Sequence, residues 1–311
     1  MRVLLALDGS HGAETARALV KHLPWPPDTR IDALRVTESV FDLIGPPGVD
    51  FEGSLDDLLD VDAVRGALLA EADDLASPTR TVEPLVVIGR AATVIVETAE
   101  RLGSDLIVVG SRGRGPISTM VLGSVSAEVA DHAPCPVLVA RTPTCGRAIV
   151  ALDGTPMTDR IVDVVAAFPF LRDTQIEVVS VAPSSAPGPG VVLSGAYGAP
   201  IGWYEDGIEA AHHSLEQVAS AGAQRLRAGG LSVSWTVLEG DPAAALIDRA
   251  RDSGADLIVV GTHGRTGMTR LLLGSVARNV LLHAHASVLV LRDAGRPRHQ
   301  AHPHASAGAA G

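Results

Sequence analysis

The segment Asp-Leu-Ile-Val-Val-Gly occurs twice in this chain, at residues 105–110 and 256–261. Each copy runs on into the same glycine pattern. The first continues Ser111-Arg112-Gly113, then nine residues, then Gly123-Ser124-Val125. The second continues Thr262-His263-Gly264, again nine residues, then Gly274-Ser275-Val276. Aligned over 104–129 and 255–280, 13 of 26 positions are identical. An acid leading into a short run of β-branched and apolar residues reads as a buried parallel strand. Glycines directly after such a strand let backbone N–H groups approach a ligand closely. One glycine loop is weak as a signal, but two copies behind the same strand point to a duplicated nucleotide-binding unit.

The rest of the chain repeats around these two anchors. Residues 2–7 predict a buried strand, Asp8-Gly9-Ser10 a turn, and 13–23 a helix stopped by Pro24, Pro26 and Pro27. Strands are expected at 31–36 and 82–88, the second weakened by Pro84. Between them lie an aperiodic loop over 38–60 and an amphipathic helix over 61–76. Gly89-Arg90-Ala91-Ala92 opens a helix to Leu102. A strand at 105–109, a helix near 119–132 and a short strand at 136–140 complete the first half.

After a linker at 142–146 the order starts again. Strands are expected at 148–152, 175–181, 232–238 and 287–291, besides the one before Gly261. Asp153-Gly154-Thr155 matches Asp8-Gly9-Ser10, and a helix follows to about Phe168. An irregular Gly/Pro/Ser stretch at 183–200 precedes a long helix at 204–228. Gly240-Asp241-Pro242-Ala243 mirrors 89–92, with proline well placed at a helix start. The units are therefore 1–141 and 147–293, followed by a Gly/Ala/His tail at 294–311 that reads as disordered. Strands alternating with helices in each half imply an α/β fold with a parallel sheet covered on both faces.

Composition narrows the ligand. The net charge is −11, which disfavours a nucleic-acid surface or an anionic membrane as partner. An anionic ligand must then be held by backbone amides and local arginines. Lys21 is the only lysine, so no glycine loop has the lysine of a Walker-type or kinase-type site. Cys135 and Cys145 form no C-x-x-C pair and read as reduced thiols. No apolar run approaches the ~18 residues of a membrane span, and the run at 3–7 is too short for a signal peptide. A cytoplasmic location is the expectation.

The paired G-x2-G-x9-G-S pattern, each behind Asp-Leu-Ile-Val-Val, resembles the ATP-binding signature of universal stress proteins, and two copies resemble the tandem members of that family. The resemblance covers about residues 1–292. It implies two Rossmann-like domains of the adenine nucleotide alpha hydrolase type, each a five-stranded parallel sheet in the order 3-2-1-4-5. Ligands would then sit at the carboxyl ends beside the reversal between strands one and four, where Asp8 and Gly110, and Asp153 and Gly261, meet. Strand five would be an edge, and the apolar runs at 137–139 and 288–290 predict that the two fives pair, since such edges left open aggregate.

Residue by residue, the resemblance gives Asp8 and Asp153 the adenine contact, and Val36 and Val181 the packing against the base. It gives Gly110, Gly113, Gly123, Ser124 and Val125, with Gly261, Gly264, Gly274, Ser275 and Val276, the ribose and phosphates. A carboxylate accepts adenine N–H or ribose O–H groups, but D-G-S and D-G-T are equally good turns, and core packing alone explains both valines. Arg112 and His263 stand before the second glycine of each loop; His263, unlike Arg112, titrates near ~6.5 unless perturbed. ATP is the implied ligand, with Mg²⁺ carried on its phosphates. The tail histidines His299, His302 and His304 lack companion ligands for a metal site. The implied function is nucleotide-dependent regulation of a stress response. The alternative is a slow ATP hydrolase or a phosphoryl or adenylyl transferase, for which Arg112, Arg114, Arg265 and Arg270 offer a clamp but no paired base is evident.

Overall fold

A computed structural model describes residues 1–37, 61–113, 122–184, 202–262 and 273–292, with backbone alone at 61–62 and 202–205. The expected loops at 38–60 and 183–200, His263, Gly264 and the tail lie wholly or mostly outside these residues. The first half runs β1 (Arg2–Ala6), α1 (His11–His22), β2 (Thr29–Thr37), α2 (Val61–Leu75), β3 (Arg80–Ile88), α3 (Ala91–Leu102), β4 (Leu106–Gly110), α4 (Ser124–His132) and β5 (Val137–Ala140). The second runs β6 (Arg147–Ala151), α5 (Met157–Ala167), a 3-10 turn at Pro169–Leu171, β7 (Gln175–Ala182), α6 (Gly202–Ala228), β8 (Val233–Glu239), α7 (Pro242–Ser253), β9 (Leu257–Gly261), α8 (Ser275–His283) and β10 (Ser287–Leu291).

Local chemistry accounts for the element ends. α7 starts on Asp241, whose side chain accepts from the Ala244 amide at 2.9 Å, with Pro242 at its first position. Gly103 and Gly254 end α3 and α7 in the left-handed conformation, φ 64° and 67°, which costs glycine nothing. Pro84, expected to weaken its strand, sits within a nine-residue β3. It is tolerated because β3 ends the sheet of the described residues, and proline's missing N–H can face away from β2. The helix expected from 119 starts at Ser124, after an extended Gly123.

The ten strands form one sheet in the order β3-β2-β1-β4-β5-β10-β9-β6-β7-β8. Each half has the order 3-2-1-4-5, and neighbours are parallel except at the centre. There β5 and β10 pair antiparallel, with Val137 opposite Val290, Leu138 opposite Leu289 and Val139 opposite Val288. The two apolar edges expected to meet do so. Leu138 and Leu289 belong to the core layer under α1, α2, α5 and α6, while the four valines belong to the layer under α3, α4, α7 and α8. Both core layers therefore run unbroken from one half into the other.

Polar contacts close the seam on the α4/α8 side. Arg292 Nη1 donates to the carbonyls of Ala130 and Asp131 at 2.7 and 2.6 Å. Arg278 Nη2 donates to both Asp131 oxygens at 3.0 and 3.1 Å. Both cysteines are free, and burial pushes the Cys135 thiol up to about 12. Among the described residues, no helix is long and apolar enough to cross a membrane.

Candidate functional site

β1 and β4 are neighbours at the reversal, with Leu5 opposite Val108, so Asp8 and Gly110 emerge side by side as the topology requires. The Asp8 turn is tight. Gly9 takes φ 73°, and Asp8 Oδ1 accepts from the Ser10 amide at 3.0 Å. Ser10 then caps α1, its Oγ accepting from the Ala13 amide at 3.2 Å, and the same hydroxyl donates to the Arg112 carbonyl at 3.1 Å. The turn reading of Asp8 is thus correct, and it leaves Oδ2 for other partners. That oxygen faces Gly113: a Cβ added there would lie 2.7 Å from it.

One residue of this wall was not singled out from sequence. A Cβ on Gly12 would lie 2.1 Å from the Arg112 carbonyl oxygen, and one on Gly110 would lie 2.4 Å from the Gly12 carbonyl carbon. The first turn of α1 and the exit of β4 are in backbone contact, which only paired glycines allow. The signal available in the sequence was a glycine inside a helix start, where it is otherwise unfavourable.

The far side of the site is the start of α4. Gly123 is its N-cap, with no side-chain cap, and its amide donates to the Ser111 carbonyl at 2.7 Å. This bond draws the third glycine back beside the first, and Ser126 Oγ adds a bond to the Gly110 carbonyl at 2.6 Å. The second half repeats the closure: Gly274 caps α8 without a side chain, and its amide donates to the Thr262 carbonyl at 2.7 Å. Ser111 and Thr262, 7% and 1% exposed, are the buried hydroxyl residues that follow the strand in both copies. Their shared position was visible in the alignment, their role was not.

Neither capping glycine is required by its backbone, since φ is −75° at Gly123 and −61° at Gly274. Nor do the described residues require Gly123 by packing: among them a Cβ there would meet nothing closer than 3.5 Å. That Cβ would make ordinary contacts with Arg112 and Gly113, the same segment that reaches Asp8. Asp8, Gly110, Gly113, Gly123, Ser124 and Val125 are therefore gathered at one end of the sheet. Ser124 and Val125 form the exposed first turn of α4, where unpaired N–H groups and the helix dipole favour an anion. Val36 and Val181 are half-buried against the α3/α7 core layer.

The matching wall in the second half differs. Asp153 Oδ1 accepts from the Thr155 amide at 3.0 Å and its hydroxyl at 2.7 Å, with Thr158 Oγ at 3.5 Å. Met157 replaces Gly12, and a Cβ on Gly261 would lie 2.7 Å from its Cγ. The carbonyl before each aspartate is also held differently. Arg35, itself bound to Glu71, donates to the Leu7 carbonyl at 3.2 Å. Ser180 donates to the Leu152 carbonyl at 2.7 Å. Ser275 and Val276 open α8, while His263 and Gly264 lie outside the described residues. Among the described residues, no three His, Cys, Asp or Glu side chains come together as a metal site.

The model of the universal stress protein family matches this chain twice, over residues 1–141 and 145–292. Universal stress protein Rv2005c of Mycobacterium tuberculosis is 30% identical over 201 residues, 61% of this chain and 62% of that one. The alignment thus spans about three fifths of the length of these mycobacterial relatives. A universal stress protein of Thermus aquaticus is 38% identical over 140 residues, covering 45% of this chain and 97% of its own length. Among solved structures, a universal stress protein from Archaeoglobus fulgidus shares the fold at TM-score 0.60 and 18% identity, over 94% of this chain and 96% of that one. With both halves matched by the family model, the chain belongs to the universal stress protein family.

Proposed function

We propose that each half, 1–141 and 147–293, binds ATP at the carboxyl ends of its strands, and that occupancy switches a regulatory surface in a cytoplasmic stress response. The observation that carries this is Gly123: neither its backbone nor its packing against the described residues calls for a glycine, yet it stands at a helix start with no side-chain cap. Glycine there keeps the approach to the first-turn amides clear for a phosphate. Asp8 and Asp153 would accept from the adenine or ribose. Val36 and Val181 would pack on the base, and the glycine-serine segments would hold the phosphates. In the sequence, Arg112 and His263 stand between the first two glycines of these segments. Any Mg²⁺ would be held mainly by the phosphates and water, as that ion needs few protein ligands.

Calorimetry with ATP tests this. Two binding events in the micromolar range are expected, one lost in Asp8→Ala and the other in Asp153→Ala. Absence of binding to the wild type below millimolar ATP would remove the reading. Single-turnover measurement on the same samples separates a sensor, in which ATP persists, from a hydrolase.

A further inference from the structure

We infer that the first half carries a further anion site built on Arg141, and that its ligand is the terminal phosphate of the polyphosphate lying at the start of α4; this rests on the nucleotide-binding reading above. Arg141 directly follows β5, at the sheet end where Gly110 and Arg112 emerge. The Ser111 amide donates to Ala140 at 3.0 Å, and the Ser111 carbonyl accepts from Gly123 at 2.7 Å. Ser111 thus bridges the residue before Arg141 to the N-cap of α4. Arg141 therefore follows a strand end that is tied by backbone bonds to the rim of the proposed phosphate cradle.

Its side chain is incompletely used. Nη2 donates to the Leu281 carbonyl in the last turns of α8, whereas Nε and Nη1 are shut off from solvent and have no hydrogen-bond partner among the described residues. Buried donors of this kind are rare and destabilising. The neighbouring charge makes the position worse: burial first, and then the nearby Arg112 cation, push Arg141 down to about 10. Two cations held close, one with buried and unpaired N–H groups, are what a phosphate oxygen relieves, and the planar guanidinium fork matches a phosphate bidentately.

The second half provides the contrast. Arg292 follows β10 as Arg141 follows β5, and it reaches the corresponding turn of the opposite helix. There it spends Nη1 on two carbonyls, Ala130 and Asp131, and the Asp131 carboxylate offsets part of the effect of its burial. The protein satisfies this arginine itself. The first site should therefore distinguish ATP from AMP more strongly than the second.

The test uses the full chain. In an Asp153→Ala background, which reports the first site, Arg141→Gln should weaken ATP by about 10- to 100-fold, the loss expected for hydrogen bonds to a charged group. AMP affinity should stay unchanged, and Arg141→Lys should recover part of the ATP affinity. Equal loss of ATP and AMP, or no loss of either, would overturn the inference while leaving the nucleotide site standing. A second measurement needs no variant fold. In the wild type, the Arg141 Nε–H resonance, identified by its absence in Arg141→Lys, should move on addition of inorganic tripolyphosphate and stay still with adenosine. If the wild type bound no nucleotide, the site reading would fall, but this titration would still decide: a moving resonance sustains the anion site, an unmoved one removes it.

Discussion

The two halves share a fold and a capping glycine that bonds back toward strand four, yet they build the opposite wall of the candidate site by different means. In both, the capping glycine bonds back to the hydroxyl residue after strand four, at 2.7 Å each time. In the first half the helix after strand one lies backbone to backbone against that strand, through Gly12 and Gly110. In the second a methionine side chain fills the equivalent space. The aspartates differ accordingly. Asp8 has one turn bond and an oxygen turned toward Gly113, whereas a single oxygen of Asp153 gathers the Thr155 amide and hydroxyl with Thr158 nearby. Duplication has kept the part that depends on backbone geometry and varied the part that depends on side chains. Backbone amides at a helix start are fixed by the fold, while a wall of side chains can be repacked at constant volume.

The largest expected effect breaks that contrast directly. Gly12→Ala forces a methyl into the Arg112 carbonyl and should cost roughly 2–4 kcal/mol, at or above the upper end of overpacking. Met157→Ala at the matching position leaves a cavity instead, and should cost about 2–3 kcal/mol. Denaturant midpoints measure both. If ATP stabilises the chain, it should recover little in Gly12→Ala, because the first loop is displaced, and more in Met157→Ala. Equal rescue would mean that the two walls are equivalent.

A smaller effect sharpens the role of Asp8. Gly113→Ala should weaken ATP at the first site by about tenfold, through the Asp8 oxygen that its Cβ would meet rather than through the phosphate alone. The double variant with Asp8→Ala should then lose less than the two single losses added together. Strict additivity in a calorimetric cycle would show that the two groups act separately.

The smallest effect concerns how each half ties its two helices on the α1/α5 face. Arg17 and Lys21 of α1 pair with Asp74 of α2, and Arg225 of α6 pairs with Asp159 and Asp163 of α5. The hydrogen bond from Lys21, together with both cations, holds the Asp74 carboxyl below its ordinary range. A depressed carboxylate contributes stability that is present above the unfolded value near 4 and lost as pH falls through the folded value. Because the pair is solvent-screened, Asp74→Asn should cost well under about 1 kcal/mol at neutral pH, and the difference from wild type should vanish in acid. A difference that persists below the folded value would refute this origin.

Much of this was legible in sequence. The strands, the duplicated glycine spacing and the two Asp-Gly turns follow from local rules: apolar runs bounded by turn residues, glycine where the chain must turn. The pairing of the two fifth strands was legible as well, because apolar residues on both faces of an edge demand a cover. The start of α4 was misplaced because residues before Ser124 carry no distinctive stop, and the cap is a glycine held by a partner twelve residues back. Gly12 was passed over because its reason is a carbonyl a hundred residues away.

The sequence by itself determined the family, the α/β alternation and the repeated glycine spacing, since each rests on residues close together in the chain. Only the tertiary structure decided which side chains the seam pairs with described residues and which it buries unpaired. Arg141 and Arg292 close their halves in the same way, and nothing local to either separates their roles. What separates them is the opposing helix: Arg292 meets the Ala130 and Asp131 carbonyls beside an acid, whereas Arg141 finds one carbonyl and a second arginine nearby. Desolvation and charge pairing belong to the assembled interior, where groups far apart in sequence share one low-dielectric space.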